Sequence, residues 1–275
     1  MEARTLAILA VVVVATGCIH QNTDTNNPPI NDNPEPSGKG LEITQFSITD
    51  STLRPGQRAE VTVGLKNYHT KEISLNEIKL YNLGKITAEK RGCTPGQLQK
   101  ATASTNPVMI CNWRITAPSE DYIENFESKD LTFTLRLSYD SNVRNSNPLK
   151  ITFKPISDIN RTSSVTKSFN NGEVRVKMET ENPIGFPREG DFEGKTIEFT
   201  VRNAGDGNVV GDYSFSYSPE SLFHDCPDSD TPVIEDKVDF QCKLKSDVEA
   251  TRNLFFSARY KYVKERNKNV ELVKP

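Results

Sequence analysis

Only three of the 275 residues are histidines, namely His20, His69 and His224. The sequence also contains no G-x-S-x-G elbow, no H-E-x-x-H pair, no phosphate-cradling glycine loop and no H-x-E with C-x-x-C arrangement. These signatures are typical of common hydrolases, metalloproteases, nucleotide-binding proteins and zinc deaminases. Acid-base chemistry would therefore have to rest on carboxylates alone. We expect a protein that is not an enzyme and that carries no cofactor.

An excess of positive charge is also missing. The 34 Lys and Arg residues stand against 37 Asp and Glu residues, which gives a formal net charge of -3. Such a chain has no basic field that would attract a phosphate backbone, so we do not expect nucleic acid as a partner. The length fits two ordinary domains, because independent cores usually form at roughly 100 to 200 residues.

The apolar run Leu6–Ala15 is too short to span a bilayer. It follows Arg4 and precedes Cys18, which is the order of a signal peptide. The segment Ala15-Thr16-Gly17-Cys18 resembles the lipobox of prokaryotic lipoproteins. The resemblance implies a signal peptide over residues 1–18, a lipid on Cys18 and an anchor at the extracytoplasmic face of the cell membrane. The alternative is an ordinary signal peptide cut nearby, with Cys18 as an incidental thiol.

Residues 19–40 are crowded with Asn, Asp and Pro and hold almost no large apolar side chains. Such a segment cannot offset its ordering entropy by burial, so the composition predicts a disordered tether. When extended it would reach several tens of ångströms, at about 3 Å per residue. The tether would lift the folded part off the membrane. The alternative is a processing remnant without that role.

Beyond residue 40, large apolar residues recur at every second position. Strands with one buried face give this pattern, and no sustained helical period is present. We therefore predict an all-β fold. The clearest alternating sets are Val61, Val63 and Leu65; Leu131, Phe133, Leu135, Leu137 and Tyr139; Ile197, Phe199 and Val201; and Leu254, Phe256, Ala258, Tyr260 and Tyr262.

Several of these segments occur twice in the same order, which indicates a tandem duplication. We predict a first domain over residues 41–156, a linker over 157–167 and a second domain over 168–275. The aligned segments are Gly56–Val63 with Gly194–Val201, Phe133–Tyr139 with Leu254–Tyr260, and Ile151–Pro155 with Val270–Pro275.

The turn and strand LRPGQRAEVTVGLKN in the first copy, and FEGKTIEFTVRNAGDG in the second, resemble CARDB-like and other immunoglobulin-like modules of prokaryotic surface proteins. The resemblance covers about the second and third strands of such modules. In the first copy, Tyr68-His69 replaces the glycine that the pattern expects. The resemblance implies that each copy is an antiparallel, immunoglobulin-like β-sandwich of about seven strands.

Each copy holds two cysteines at similar separations, 18 residues in one and 16 in the other. Cys111 and Cys242 lie on the apolar phase of their strands, whereas Cys93 and Cys226 lie in turn-rich loops. We predict the disulfides Cys93–Cys111 and Cys226–Cys242, each contributing about 3 kcal/mol by loop closure. This pairing leaves Cys18 as the odd cysteine. Zinc binding is the competing interpretation, but C-x-x-C pairs and spaced histidines are lacking.

Two further sites rest on short patterns. Asn160-Arg161-Thr162 is an N-glycosylation sequon in the predicted linker. Asp225, Asp228 and Asp230 lie in a short loop beside Cys226, and their oxygens could bind Ca²⁺. The alternative for this acidic stretch is a solvated loop.

These features together favour a non-catalytic surface lipoprotein that acts as a binding, adhesion or spacer module. Its partners would be the membrane, through the lipid anchor, and another surface protein or a glycan. One alternative is a structural subunit of a surface assembly, such as a pilus or envelope layer, that polymerises by strand addition. Another is a ligand-binding accessory domain of a partner enzyme.

Overall fold

The computed structural model describes residues 39–124, 126–227, 231–232 and 237–275. Residues 1–38, which hold the predicted signal peptide, Cys18 and nearly all of the predicted tether, lie outside these ranges. The described chain is almost entirely β-structure, and its one α-helix, α1 (Glu120–Ile123), has four residues. None of its helices is long and apolar enough to cross a bilayer.

The strands of the first half are β1 (Leu41–Ile48), β2 (Thr52–Leu53), β3 (Arg58–Asn67), β4 (Leu75–Tyr81), β5 (Thr87–Thr94), β6 (Val108–Thr116), β7 (Ser128–Arg144) and β8 (Leu149–Pro155). Those of the second half are β9 (Ser163–Asn170), β10 (Val174–Asn182), β11 (Ile184–Phe186), β12 (Lys195–Asn203), β13 (Asn208–Ser218), β14 (Phe223–His224), β15 (Thr231–Pro232), β16 (Lys237–Leu244) and β17 (Ala250–Val273).

Alternating burial along these strands follows the sequence pattern. Val61 and Val63 of β3 are fully buried and Thr62 between them is partly exposed, and Ile197 and Phe199 of β12 flank the exposed Glu198. This is the expected result for a strand that packs one face on a core and turns the other to water.

The described strands form three sheets. The first has the order β1-β3-β6-β5, and the second has the order β14-β16-β12-β10-β9. The third is built on the 24-residue strand β17 and contains β11, β8, β13 and β15, together with β7, β4 and β2. The aligned strands occupy corresponding places, because β3 lies between β1 and β6 as β12 lies between β10 and β16. The prediction of an all-β fold of antiparallel immunoglobulin-like sandwiches is confirmed.

The first two sheets pack against different parts of the third. Phe46 of β1 meets Phe133 of β7 edge-on, with ring centroids 5.7 Å apart. Phe199 of β12 lies 4.8 Å from Phe256 in the N-terminal part of β17, and Phe169 of β9 reaches the same ring at 6.5 Å. The two packing regions thus share one long sheet, and their buried side chains belong to one contiguous hydrophobic core.

The last strand of each half lies in the sandwich of the other half. The duplication aligns β8 with the C-terminal part of β17. Without an exchange, β8 would lie beside β7, and the C-terminal part of β17 would lie beside the N-terminal part of β17. Instead, β8 pairs with β17 from Ala250 to Leu254. The C-terminal part of β17 pairs with β7, and Val270 lies opposite Leu131.

The short parallel strands show the same exchange. The β2 strand pairs with β17 at Leu272, and β11 pairs with β8 at Phe153. Each half therefore lends its final strand to the other. The sequence did not indicate this exchange, because a strand buries the same face whether it is exchanged or not. The predicted domain boundaries at residues 156 and 168 stay a prediction.

Candidate functional site

A fully buried carboxylate lies where the two halves meet. Glu173, in the turn before β10, has no exposed side-chain surface. Its Oε1 atom lies 2.7 Å from Nε2 of His69 and 2.6 Å from the Tyr139 hydroxyl, and it accepts a hydrogen bond from the Leu41 backbone N–H at 3.2 Å. The Tyr260 hydroxyl donates to Oε2 at 3.2 Å. Because a carboxylate only accepts, Nε2 of His69 carries the proton of that bond.

Asn171 ties the same turn to the shared sheet. Its side-chain amide donates to the Tyr260 hydroxyl at 2.6 Å and to the Asn142 carbonyl oxygen at 2.9 Å. Its side-chain oxygen accepts from the backbone N–H groups of Glu173 and Val174. The network therefore joins a first-half loop, the strands β7 and β17, and a second-half turn through directed hydrogen bonds.

The network also sets the charge state of its members. Burial raises the pKa of the Glu173 carboxyl, but the hydrogen bonds from His69 and Tyr139 outweigh it, so the pKa lies below its ordinary value. Burial, together with the Glu173 charge, holds the pKa values of the Tyr139 and Tyr260 hydroxyls well above their ordinary value. Glu173 is therefore an anion at neutral pH, and both tyrosines are donors.

An open cleft of about 1020 Å³ lies beside this network, and we call it the junction cleft. Its walls come from both halves of the chain. They are formed by the loop 68–73 between β3 and β4, the end of β7 with residue 146, the turn residues Asn170 and Asn171, Asp212 of β13, and residues 259–261 of β17.

The cleft wall carries charged side chains without salt-bridge partners. Lys261 lies directly opposite Asp140 in the β7–β17 ladder, and Arg259 lies opposite Asn142. Lys71 reaches over from its loop and donates to the Asn142 side-chain oxygen at 2.8 Å. Within the described part of the chain, neither Arg259 nor Lys261 forms a salt bridge within 4.0 Å. Both remain available to a polar or charged ligand.

The buried network and the cleft wall suit ligand binding better than acid-base chemistry. The Glu173 carboxylate is fully enclosed. The His69 side chain is 10% exposed, and its Nε2–H already donates a hydrogen bond to this carboxylate. A general acid or base must be within hydrogen-bond reach of the substrate proton that it moves, and Glu173 has no open side from which to do so. The exposed cations, hydroxyls and amides of the wall can bind a polar ligand by charge and hydrogen bonds.

The structure brings both predicted cysteine pairs to disulfide distance. The Sγ atoms of Cys93 and Cys111 lie 2.05 Å apart, and those of Cys226 and Cys242 lie 2.25 Å apart. Cys93 is not in a loop, as the sequence pattern indicated, but at the end of β5, directly opposite Cys111 on β6. Both pairs lie away from the junction cleft.

The remaining predicted site residues are not brought into the cleft either. Asn160 is exposed between β8 and β9, so the sequon is accessible, and its use stays a prediction. Asp225 is exposed, whereas Asp228 and Asp230 lie outside the described residues. Within the described part there is no group of three or more His, Cys, Asp or Glu side chains that could hold a metal ion. Cys18 also lies outside the described residues.

Sequence reasoning missed Glu173. Asn170-Asn171-Gly172 marks a turn, and Gly172 has the positive φ of 88° that such a turn requires. Nothing local indicates that the next residue is buried, because its partners His69, Tyr139 and Tyr260 come from distant segments. A glutamate directly between a turn and the apolar phase of a strand was the one available signal.

No protein-family model and no curated protein matches the chain. Among solved structures, the collagen adhesin CNA of S. aureus is 10% identical, with 84% of this chain and 92% of that chain covered and a TM-score of 0.19. The MSCRAMM ACE of Enterococcus faecalis, described as binding its ligands by the collagen hug model, is 8% identical, with 84% and 95% covered and a TM-score of 0.20. Likeness at these TM-scores carries no inference about what this chain binds.

Proposed function

We propose that this chain is a non-catalytic, lipid-anchored surface module that binds a ligand in the junction cleft. The observation that carries the proposal is the cleft itself, which is about 1020 Å³ and is lined by side chains of both halves. Arg259 and Lys261 point from its wall without salt-bridge partners. The buried network of Glu173 and the exchanged strands support a preformed site, and a preformed site loses little entropy on binding.

The lipid anchor in this proposal rests on the sequence pattern that ends at Cys18. The exposed sequon at Asn160 and the two cysteine pairs support a location in the cell envelope, since disulfides persist in oxidising compartments. The proposed partners are a second surface protein or a glycan, because the cleft lining offers amides, hydroxyls and cations.

Binding is tested with the detergent-solubilised full-length protein and immobilised envelope fragments from the same cells, measured by biolayer interferometry. Fragments are used untreated, protease-digested or periodate-oxidised, which distinguishes a protein ligand from a glycan. Arg259→Ala and Lys71→Ala should weaken binding about tenfold or more, as expected for residues that each contribute over about 1.4 kcal/mol. Arg252→Ala, an exposed arginine of β17 outside the cleft, is the control. Equal binding by all variants would contradict the proposal.

The anchor is tested separately. Intact-mass analysis of the native protein should show a chain that begins at Cys18 and carries a lipid-sized increment. In detergent phase partitioning, the wild-type protein should enter the detergent phase and Cys18→Ser should not. A mature chain that begins elsewhere would refute the anchor and leave the cleft assay unaffected.

A second function is favoured by one edge strand. The β9 strand pairs with β10 over eight residues without a register shift, and Lys167 is its only charged residue. The pairings of the other long edge strands, β1, β4 and β5, all contain register shifts, and such irregularities protect edges from strand addition. A surface assembly that grows by strand addition could use β9. Val165→Pro should then abolish assembly, measured by light scattering, whereas Thr162→Pro just before the strand should not.

A further inference from the structure

A second cleft of about 690 Å³ lies on the other side of the turn that holds Glu173. We call it the oxyanion cleft. The charged and amide side chains that line it are Lys39, Glu42, Asn170, Arg175, Asp206 and Lys264. It is separate from the junction cleft, and Asn170 is the one side chain that lines both.

A lysine is buried in the wall of this cleft. The side chain of Lys264 is 4% exposed, because the loop 204–207 packs directly on β17. This close packing requires glycine. A Cβ atom at Gly207 would collide with the Val263 carbonyl oxygen and with the Lys264 side chain, and one at Gly205 would collide with the Tyr262 hydroxyl. The chain therefore maintains a buried ammonium group, which is unfavourable unless negative charge compensates it.

Within the described residues, one carboxylate compensates this ammonium group. Lys264 Nζ lies 2.5 Å from Asp206 Oδ1, and the other oxygen of Asp206 accepts from Arg266 Nη2 at 2.9 Å. Burial raises the pKa of Asp206, but the hydrogen bond and charge of Lys264 outweigh it, so the carboxyl is ionised at neutral pH. One carboxylate thus serves two cations. Glu42, the other acid of the cleft, lies directly opposite Lys66 on β3.

Two arginines near the mouth of the cleft lie side by side. Arg175 of β10 is directly opposite Arg202 of β12 in the antiparallel ladder, which places their Cβ atoms roughly 4.5 to 5.5 Å apart. Like charges in this position are destabilising. Within the described ranges of the chain, neither guanidinium forms a salt bridge. Lys237 of β16 lies opposite Arg202 on the other side, and it forms a salt bridge with Asp239.

We propose that the oxyanion cleft binds a phosphate group, held between the Arg175 guanidinium and the Lys264 ammonium. Arg175 supplies a planar fork of N–H donors that suits phosphate oxygens, and Lys264 has donor capacity beyond its bond to Asp206. Lys39 stands at the rim. A bound phosphate anion would relieve the repulsion between Arg175 and Arg202, which no protein carboxylate in the described structure does.

The phosphate could come from a membrane lipid headgroup or from a free phosphate. Lys39 follows Cys18 by 21 residues in the sequence, so the lipid of the proposed function, on which this point rests, would keep the cleft near a membrane. The position therefore fits a headgroup, and the experiment separates the two sources.

The test is thermal unfolding of the detergent-solubilised full-length protein, followed by far-UV circular dichroism at constant ionic strength. For a millimolar dissociation constant, about 20 mM ligand should raise the midpoint by roughly 4 to 7 °C. Inorganic phosphate and glycerophosphoglycerol, the deacylated headgroup of phosphatidylglycerol, are compared with chloride. A rise with the headgroup alone assigns a lipid source, and a rise with inorganic phosphate as well assigns any accessible phosphate group.

Arg175→Gln should abolish the rise, and Arg252→Gln, an exposed strand arginine elsewhere, should preserve it. Without phosphate, Arg175→Gln should be at least as stable as the wild type, because it removes the repulsion with Arg202. This second readout separates loss of binding from loss of folding. No rise in the wild type, an equal rise in all three proteins, or a lower midpoint of Arg175→Gln without phosphate would overturn the proposal.

Discussion

Replacing Leu272 by alanine should destabilise the first half of the chain, although Leu272 belongs to the last strand of the second. Its side chain is fully buried, and it lies beside Leu53 of β2 and opposite Lys129 of β7. In an unexchanged tandem fold, the same residue would pack in the second core and leave the first untouched. The substitution therefore tests the strand exchange directly.

The expected loss follows from the cavity that the substitution leaves. Buried Leu→Ala changes cost about 2 to 5 kcal/mol. With a urea dependence of about 3 kcal/mol per M, the unfolding midpoint should fall by roughly 1 M. Trp113 is the only tryptophan, is 3% exposed and lies on β6 in the first core, so its fluorescence reports that core.

Urea unfolding is followed by Trp113 fluorescence and by far-UV circular dichroism on the same samples. The two curves of the wild type should coincide, because the exchanged strands couple both halves, and Leu272→Ala should shift both together. Val248→Ala, at a site that is 54% exposed, should change the midpoint little. A Trp113 curve that stays in place while the dichroism curve splits would refute the exchange.

Three further outcomes are expected. The low pKa of Glu173 makes its contribution to stability fully present above its unfolded value, near 4.5, and lost as pH falls through the folded value. Glu173→Gln should therefore lower the midpoint of urea unfolding more at pH 7 than at pH 3, and an equal loss at both pH values would contradict the network. Reduction by dithiothreitol breaks both disulfides and should lower stability by about 3 kcal/mol for each closed loop, measured by Trp113 fluorescence, and an unchanged curve would exclude the bonds. Gly207→Ala should lower the thermal midpoint by several degrees through its collision with the Val263 carbonyl oxygen, whereas Gly96→Ala, with open space around its Cβ position, should not.

The buried polar groups explain why the functional region was hard to predict. Cysteine spacing and alternation are local signals, and both led to pairs and strands that the structure contains. Glu173 gains its burial and its partners only when a first-half loop and two strands of the shared sheet converge on it. Arg175 and Arg202 are likewise ordinary surface residues in the sequence, and only the register of β10 against β12 makes them neighbours.

The sequence by itself determined the class of the fold, the repeated order of strands and the residues that face the cores. It could do so because a period of two and a glycine at a turn are properties of a short stretch of backbone. Only the tertiary structure decided that β8 and the end of β17 change places, and that two clefts form on either side of Glu173. A strand presents the same apolar face to either core, so the choice between them depends on chain connection and packing that no local pattern encodes.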